Sequence, residues 1–183
     1  MLEQYLVKNC SPTLASLKTA NLINVPFQNF DDLISSVSQW NARLNPKGVD
    51  LIVLKVCKST ALIYVCRKCN LQRDLNSDGV HDFLKQYGYK STNVDYCINR
   101  LSQRLSLSAE FPHEVGVFLG YPLNDVIGFI SNHGQNSKCC GCWKVYCNEC
   151  EALKTFAKFK KCTKIYCKLW SQGRSIIKLT VAA

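Results

Sequence analysis

The sequence predicts an α+β fold, rich in helix, with a small and largely antiparallel sheet. Three observations lead there. Apolar residues at helical spacing recur near both ends of the chain and through its middle. Two adjacent strand-like runs, 50–57 and 60–67, are separated only by Lys58-Ser59, short enough for a hairpin, although the favoured turn glycine is missing. At 183 residues, with 47% hydrophobic and 20% charged residues, the composition is that of one globular domain, 1–183, with a real core.

Each element follows in order. A first helix is expected to start near Cys10, because Pro12 suits a first turn, where its missing N–H would be unpaired anyway. Leu14, Leu17 and Leu22 continue it, and Asn24-Val25-Pro26 ends it. Asp31 and Asp32 open a second helix carrying Leu33, Ile34, Val37, Trp40 and Leu44 on one side, stopped by Asn45-Pro46-Lys47-Gly48. After the hairpin come helical stretches at 71–75, 79–87 and 94–107, then a loop that enters a strand at 115–119. Pro122-Leu123-Asn124-Asp125 opens a helix through Ile130, 132–137 is a polar loop, and 143–146 reads as a strand. Residues 149–172 form one or two helices. The first helix is expected to pack on a sheet that includes 50–57, 60–67, 115–119 and 143–146.

Composition narrows the setting. The first residues, Met1-Leu2-Glu3-Gln4-Tyr5-Leu6-Val7-Lys8, lack the basic head and apolar run of a signal peptide, and no stretch has the length of a membrane span. A cytoplasmic protein is expected. There the twelve cysteines are thiols or metal ligands, not a disulfide framework. Cys57, Cys66 and Cys97 lie in apolar patterns and read as packing residues; His81 and His133 read as surface residues. From Cys147 onward, eight Lys or Arg against Glu149 and Glu151 supply +6 of the net +10. Lys154, Lys158, Lys161, Lys164 and Lys168 recur every three or four residues and offer an acidic partner a basic helix face, whose bland meaning is a solvated surface. No motif of a specific nucleic-acid fold accompanies them, and no membrane partner is expected.

Two arrangements carry candidate chemistry. Cys10, read at the mouth of a helix, would gain thiolate character from unpaired N–H groups, and His113, read at the mouth of a strand, would hold and return a proton. Asp125 or Asn124, eleven to twelve residues beyond His113, would orient the imidazole; Asn132 and Asn136 come later. The second arrangement is Cys139-Cys140-Gly141-Cys142 with Cys147-Asn148-Glu149-Cys150, two Cys-x-x-Cys pairs four residues apart. Cys139, Cys142, Cys147 and Cys150 suit zinc or an iron–sulfur cluster, although a strand at 143–146 sends alternate side chains to opposite faces. Cys66-Arg67-Lys68-Cys69 is a third, isolated pair. No other cofactor is expected.

Several long strings make the chain resemble domain-of-unknown-function family 3793. They are Cys10-Ser11-Pro12-Thr13-Leu14-Ala15, Phe111-Pro112-His113-Glu114-Val115-Gly116-Val117-Phe118-Leu119-Gly120-Tyr121-Pro122, Asp125-Val126-Ile127-Gly128-Phe129, Gly141-Cys142-Trp143-Lys144-Val145-Tyr146, Phe156-Ala157-Lys158-Phe159-Lys160-Lys161-Cys162-Thr163 and Leu179-Thr180-Val181. The resemblance covers nearly the whole chain and implies no activity. Its pattern includes Cys10, Cys139 and Cys162, and not Cys66, Cys69, Cys142, Cys147 or Cys150.

A second, local resemblance is to papain-like cysteine hydrolases. Cys10-Ser11-Pro12-Thr13-Leu14-Ala15 is similar to their Cys-Gly-Pro-Thr-x-x-Ala helix start, and His113-Glu114-Val115-Gly116-Val117-Phe118-Leu119-Gly120 to their His-x-Gly-x-Tyr-x-Gly strand. Ser11 in place of glycine, and Glu114 directly after the histidine, depart from that pattern. The resemblance implies a papain-like layout with Gln4 and the Cys10 N–H as oxyanion donors. The expected function is therefore a cysteine hydrolase or acyltransferase attacking an amide, ester or thioester. The alternatives are a non-catalytic binding protein of the same fold, or a cysteine-rich zinc or iron–sulfur protein.

Overall fold

Apolar burial on one side of helices and around a short sheet organises the chain in the computed structural model, which describes residues 2–107 and 110–182. The elements run α1 (Leu2–Leu14), β1 (Ala20–Pro26), α2 (Phe30–Leu44), a 3-10 turn (Asn45–Lys47), β2 (Asp50–Cys57), β3 (Thr60–Cys66), α3 (Lys68–Leu75), α4 (Val80–Lys85), α5 (Val94–Leu107), α6 (Val115–Phe118), α7 (Leu123–Ser131), β4 (Cys139–Cys140), β5 (Lys144–Val145), α8 (Glu149–Ser171) and α9 (Ile176–Leu179). This is the α+β, helix-rich class, with small antiparallel sheets. The chain gathers into two compact units, one reaching Leu71 and resuming at Cys162, the other Gln72–Lys161.

In the first unit the sheet has the order β1-β3-β2, antiparallel throughout, with Ile63 at the centre of β3 opposite Ile23 on one side and Val53 on the other. Leu6, Val7, Cys10 and Leu14 of α1, Leu33, Val37 and Leu44 of α2, and Ile23, Val25, Leu51, Ala61, Ile63 and Val65 of the sheet form one buried cluster. Asn29 caps α2 by accepting the N–H of Asp31 and Asp32.

Three expectations for this region change. The first helix begins at Leu2, so Cys10 lies in its third turn and Pro12 in its last. A proline there forfeits one helical N–H bond, which it would not do in the first turn, and the Ser11 hydroxyl donates back to the Val7 carbonyl nearby. Residues 20–26 form the strand β1, not the end of a helix: Ile23 and Val25 face in while Asn24 and Pro26 face out, a period of two. The break between them is Ser16, at φ 58, after which Leu17 and Lys18 donate to the Pro12 carbonyl.

The end of α1 is closed by a side chain. Arg67 is 2% exposed, and its guanidinium donates to the carbonyls of Thr13 (2.7 Å), Leu14 (2.8 Å), Lys47 (3.1 Å) and Val181 (2.7 Å). It supplies cation and donors to a helix C-terminus, where both are favourable.

In the second unit, residues 115–119 do not form a strand. Val115–Phe118 is a single helical turn, buried all round. The strand expected at 143–146 is the short β5, paired with β4 in a separate hairpin (Cys139 opposite Val145, Cys140 opposite Lys144), and neither belongs to the sheet of the first unit. α8 is one continuous helix. Phe159 is buried on it, while Lys154, Lys158, Lys161, Lys164 and Lys168 are exposed and Lys154 pairs with Glu151 at 2.7 Å. Among the described residues no helix is long and apolar enough to cross a membrane.

Candidate functional site

The second unit contains a cavity of about 390 Å³, and its walls come from three separated segments. Phe111, His113, Val115, Gly116 and Tyr121 come from the loop and turn around α6; Asp125, Val126 and Phe129 from α7; Cys140, Trp143 and Lys144 from the hairpin. All but Cys140 lie in three of the strings that carry the family resemblance. Two rows of rings form the walls. Trp143 stacks on Tyr121 (5.0 Å between centroids) and meets Phe156 edge-on at 4.5 Å. His113 packs between Phe111 and Phe129, at 6.2 and 5.1 Å.

Local chemistry builds the site from α7 outward. Asp125, in the first turn of α7, is 3% exposed. Its carboxylate accepts Trp143 Nε1 at 2.8 Å on one oxygen, and the backbone N–H of Tyr146 (2.8 Å) and Cys147 (2.9 Å) on the other. One buried acid thus pins the hairpin and fixes the plane of Trp143. Gly128, one turn further on, lets the hairpin approach: a Cβ there would lie 2.6 Å from Tyr146 Cβ. Gly116 plays the same part against Val126, whose Cγ2 would be 2.7 Å from an added Cβ. The Tyr121 hydroxyl donates to the Cys142 carbonyl at 3.0 Å, and burial, with a smaller contribution from Cys142, pushes that phenol up to about 12.

Polar groups in the cavity are few. Lys144 Nζ donates to the Gly134 carbonyl at 2.6 Å. The His113 side chain is exposed, whereas its neighbour Glu114 turns inward, 1% exposed, pairs with Arg104 and accepts Tyr89 OH at 3.3 Å. Glu114, which departs from the papain-like pattern after His113, is therefore part of the unit's interior. Its charge and, more strongly, burial push the Tyr89 phenol up.

The predicted site residues fall in different places. His113 and Asp125 line the same cavity, but Asp125 spends its oxygens on the hairpin. Cys10 belongs to the first unit, where it is fully buried and desolvation pushes its thiol up to about 12. It stands away from the helix mouth, and a thiol kept neutral is a poor nucleophile. Gln4 is exposed on α1, while Cys10 faces the core; six residues of helix turn them to different sides.

The four cysteines of the metal expectation are not drawn together. Among the described residues no group of three or more His, Cys, Asp or Glu is arranged to hold a metal ion. These four cysteines are spread along the chain: Cys139 in β4, Cys142 and Cys147 on either side of β5, and Cys150 on the first turn of α8. No disulfide joins any of the twelve cysteines, all of which lie among the described residues.

Sequence reasoning missed Phe111, Tyr121, Phe129, Cys140, Trp143 and Lys144 as one site. The available signal was that the strings at 111–122, 125–129 and 141–146 are dense in glycine and aromatic residues, which suits close-packed walls. No curated protein and no solved structure matches the chain. Residues 6–180 match the family described as "Protein of unknown function (DUF3793)", and the chain belongs to that family.

Proposed function

We propose that this chain is a small-molecule-binding protein whose ligand, flat and largely apolar, occupies the aromatic cavity of the 72–161 unit. The observation that carries the reading is the convergence of three family strings on one cavity of about 390 Å³. That size lies within the ~300–1,000 Å³ of small-molecule sites, and its make-up, rings with a few placed polar groups, is theirs too. Aromatic walls favour a planar ring system, which stacks or meets ring edges at little entropic cost. The hydrolase reading needs Cys10 as a thiolate and loses support because burial keeps that thiol neutral. A non-catalytic binding protein is among the alternatives the sequence offers, there with a papain-like fold and no stated ligand.

Cys140 makes the test direct, because it is exposed, on the wall, and reactive in principle. Two-ring aromatic compounds are screened by ligand-observed NMR. Those that bind are expected to slow iodoacetamide labelling of Cys140 while leaving Cys147 and Cys150, exposed outside that cavity, unchanged. Cys140→Phe, which fills the cavity from an exposed position, is expected to abolish the NMR signal. If no compound binds, or if Cys140→Phe leaves binding intact, the cavity is not a ligand site.

A further inference from the structure

We infer that the ligand of this cavity is an aromatic anion, a planar ring bearing a carboxylate or similar acid group held by Lys144. The inference rests on the binding reading above and adds the ligand's charge. Of the two charged groups on the wall, one is committed to the hairpin: Asp125 accepts three N–H donors there, and both its oxygens are engaged. The other is not. Lys144 has three N–H donors, and its hydrogen bond among the described residues goes to the neutral Gly134 carbonyl. The half-buried ammonium is therefore a cation with two donors unspent beside an apolar wall.

Its position suits an acid attached to a ring. A Cβ built on Gly134 would lie 3.7 Å from Lys144 Nζ and 3.2 Å from Phe129 Cε2, so ammonium and ring edge flank the same point. A ligand ring lying along Phe129 would thus bring its substituent to the ammonium. The exposed His113 imidazole, whose ring lies 5.1 Å from that of Phe129, makes no side-chain hydrogen bond among the described residues and offers a further N–H. A cationic ligand would meet the like charge of Lys144, while both Asp125 oxygens already accept N–H groups of the hairpin. A charge-assisted bond in a half-dry site is worth about tenfold in affinity or more.

The experiment compares 2-naphthoate, 2-naphthamide and 2-(aminomethyl)naphthalene on the full chain by calorimetry, at low and moderate salt. Naphthoate is expected to bind about tenfold more tightly than the amide, and the amine most weakly. Lys144→Met is expected to make acid and amide equal, and Lys144→Arg to keep the preference. The wild-type comparison stands even if the variants do not fold. Equal affinities for acid and amide in the wild-type chain, with Cys140→Phe blocking both, would overturn the charge inference and leave the cavity standing. Binding of none of the three would remove the cavity reading, and the inference with it.

Discussion

Cys10 and Asp125 show how one side chain's surroundings decide its chemistry. Cys10 is packed among Leu6, Val7 and Leu14, and its pKa of about 12 follows from burial, offset slightly by Lys18. In the native chain it is expected to be among the last thiols labelled by iodoacetamide, behind Cys140, Cys142, Cys147 and Cys150; peptide mapping after partial labelling checks the order. The same burial has an alkaline consequence. A folded pKa raised above the unfolded 9.0 gives stability that is intact below pH 9 and is lost as pH climbs toward 12, because the unfolded chain gives up its proton first. By pH 11 the loss from Cys10 is roughly 2–3 kcal/mol. Urea midpoints at pH 8 and 11 are expected to fall less in Cys10→Ala than in wild type, and equal falls would contradict the assignment. Tyr121 and Tyr166, both pushed to about 12, add to the slope in both proteins. The sequence offers Asp125 as the group that orients His113; its partners in the structure are the indole of Trp143 and two backbone N–H groups, on a hairpin eighteen or more residues away.

Elements with a clean period were legible. α2, β2, β3, α5 and α7 appear where apolar spacing places them. The errors share a cause. Pro12 reads as a start signal but sits in the last turn of α1, where the helix accommodates the lost N–H bond, so the expected first helix falls on β1. Val115–Phe118 has the β-branched content of a strand, but burial on all sides and the N–H bonds of Val115, Gly116 and Val117 to the preceding turn close it into helix. The cavity was illegible because it is assembled by contacts between elements, with Gly128 and Gly116 setting how closely they pack. Asp125→Ala is expected to release the hairpin. Leaving buried N–H groups unpaired costs about 1–3 kcal/mol each in the worst case. Loss of the Trp143 near-ultraviolet circular dichroism, with helix content retained, would report it. A wild-type spectrum in Asp125→Ala would show that Tyr121 and Phe156 hold the indole without the acid.

At the scale of the molecule, the first unit depends on Arg67, which the sequence offers as the end of the strand-like run 60–67 and the second residue of an isolated Cys-x-x-Cys. Its four carbonyl partners come from α1, the turn after α2 and the segment after α9. Arg67→Met is expected to destabilise the chain by about 3 kcal/mol, as several buried acceptors lose a charged donor, and Arg67→Lys to recover little, since an ammonium cannot span the fork. Thermal melts of both variants check this; a lysine variant as stable as wild type would show that charge alone suffices. The unit that Arg67 closes is split in sequence, and the cavity-bearing unit lies whole within the gap. A ribosome therefore finishes the residues of the cavity before it reaches the carbonyl of Val181 that completes the knot. The residues of the cavity thus lie on one unbroken stretch of chain, whereas Arg67 finds its carbonyl partners on both sides of that stretch in sequence.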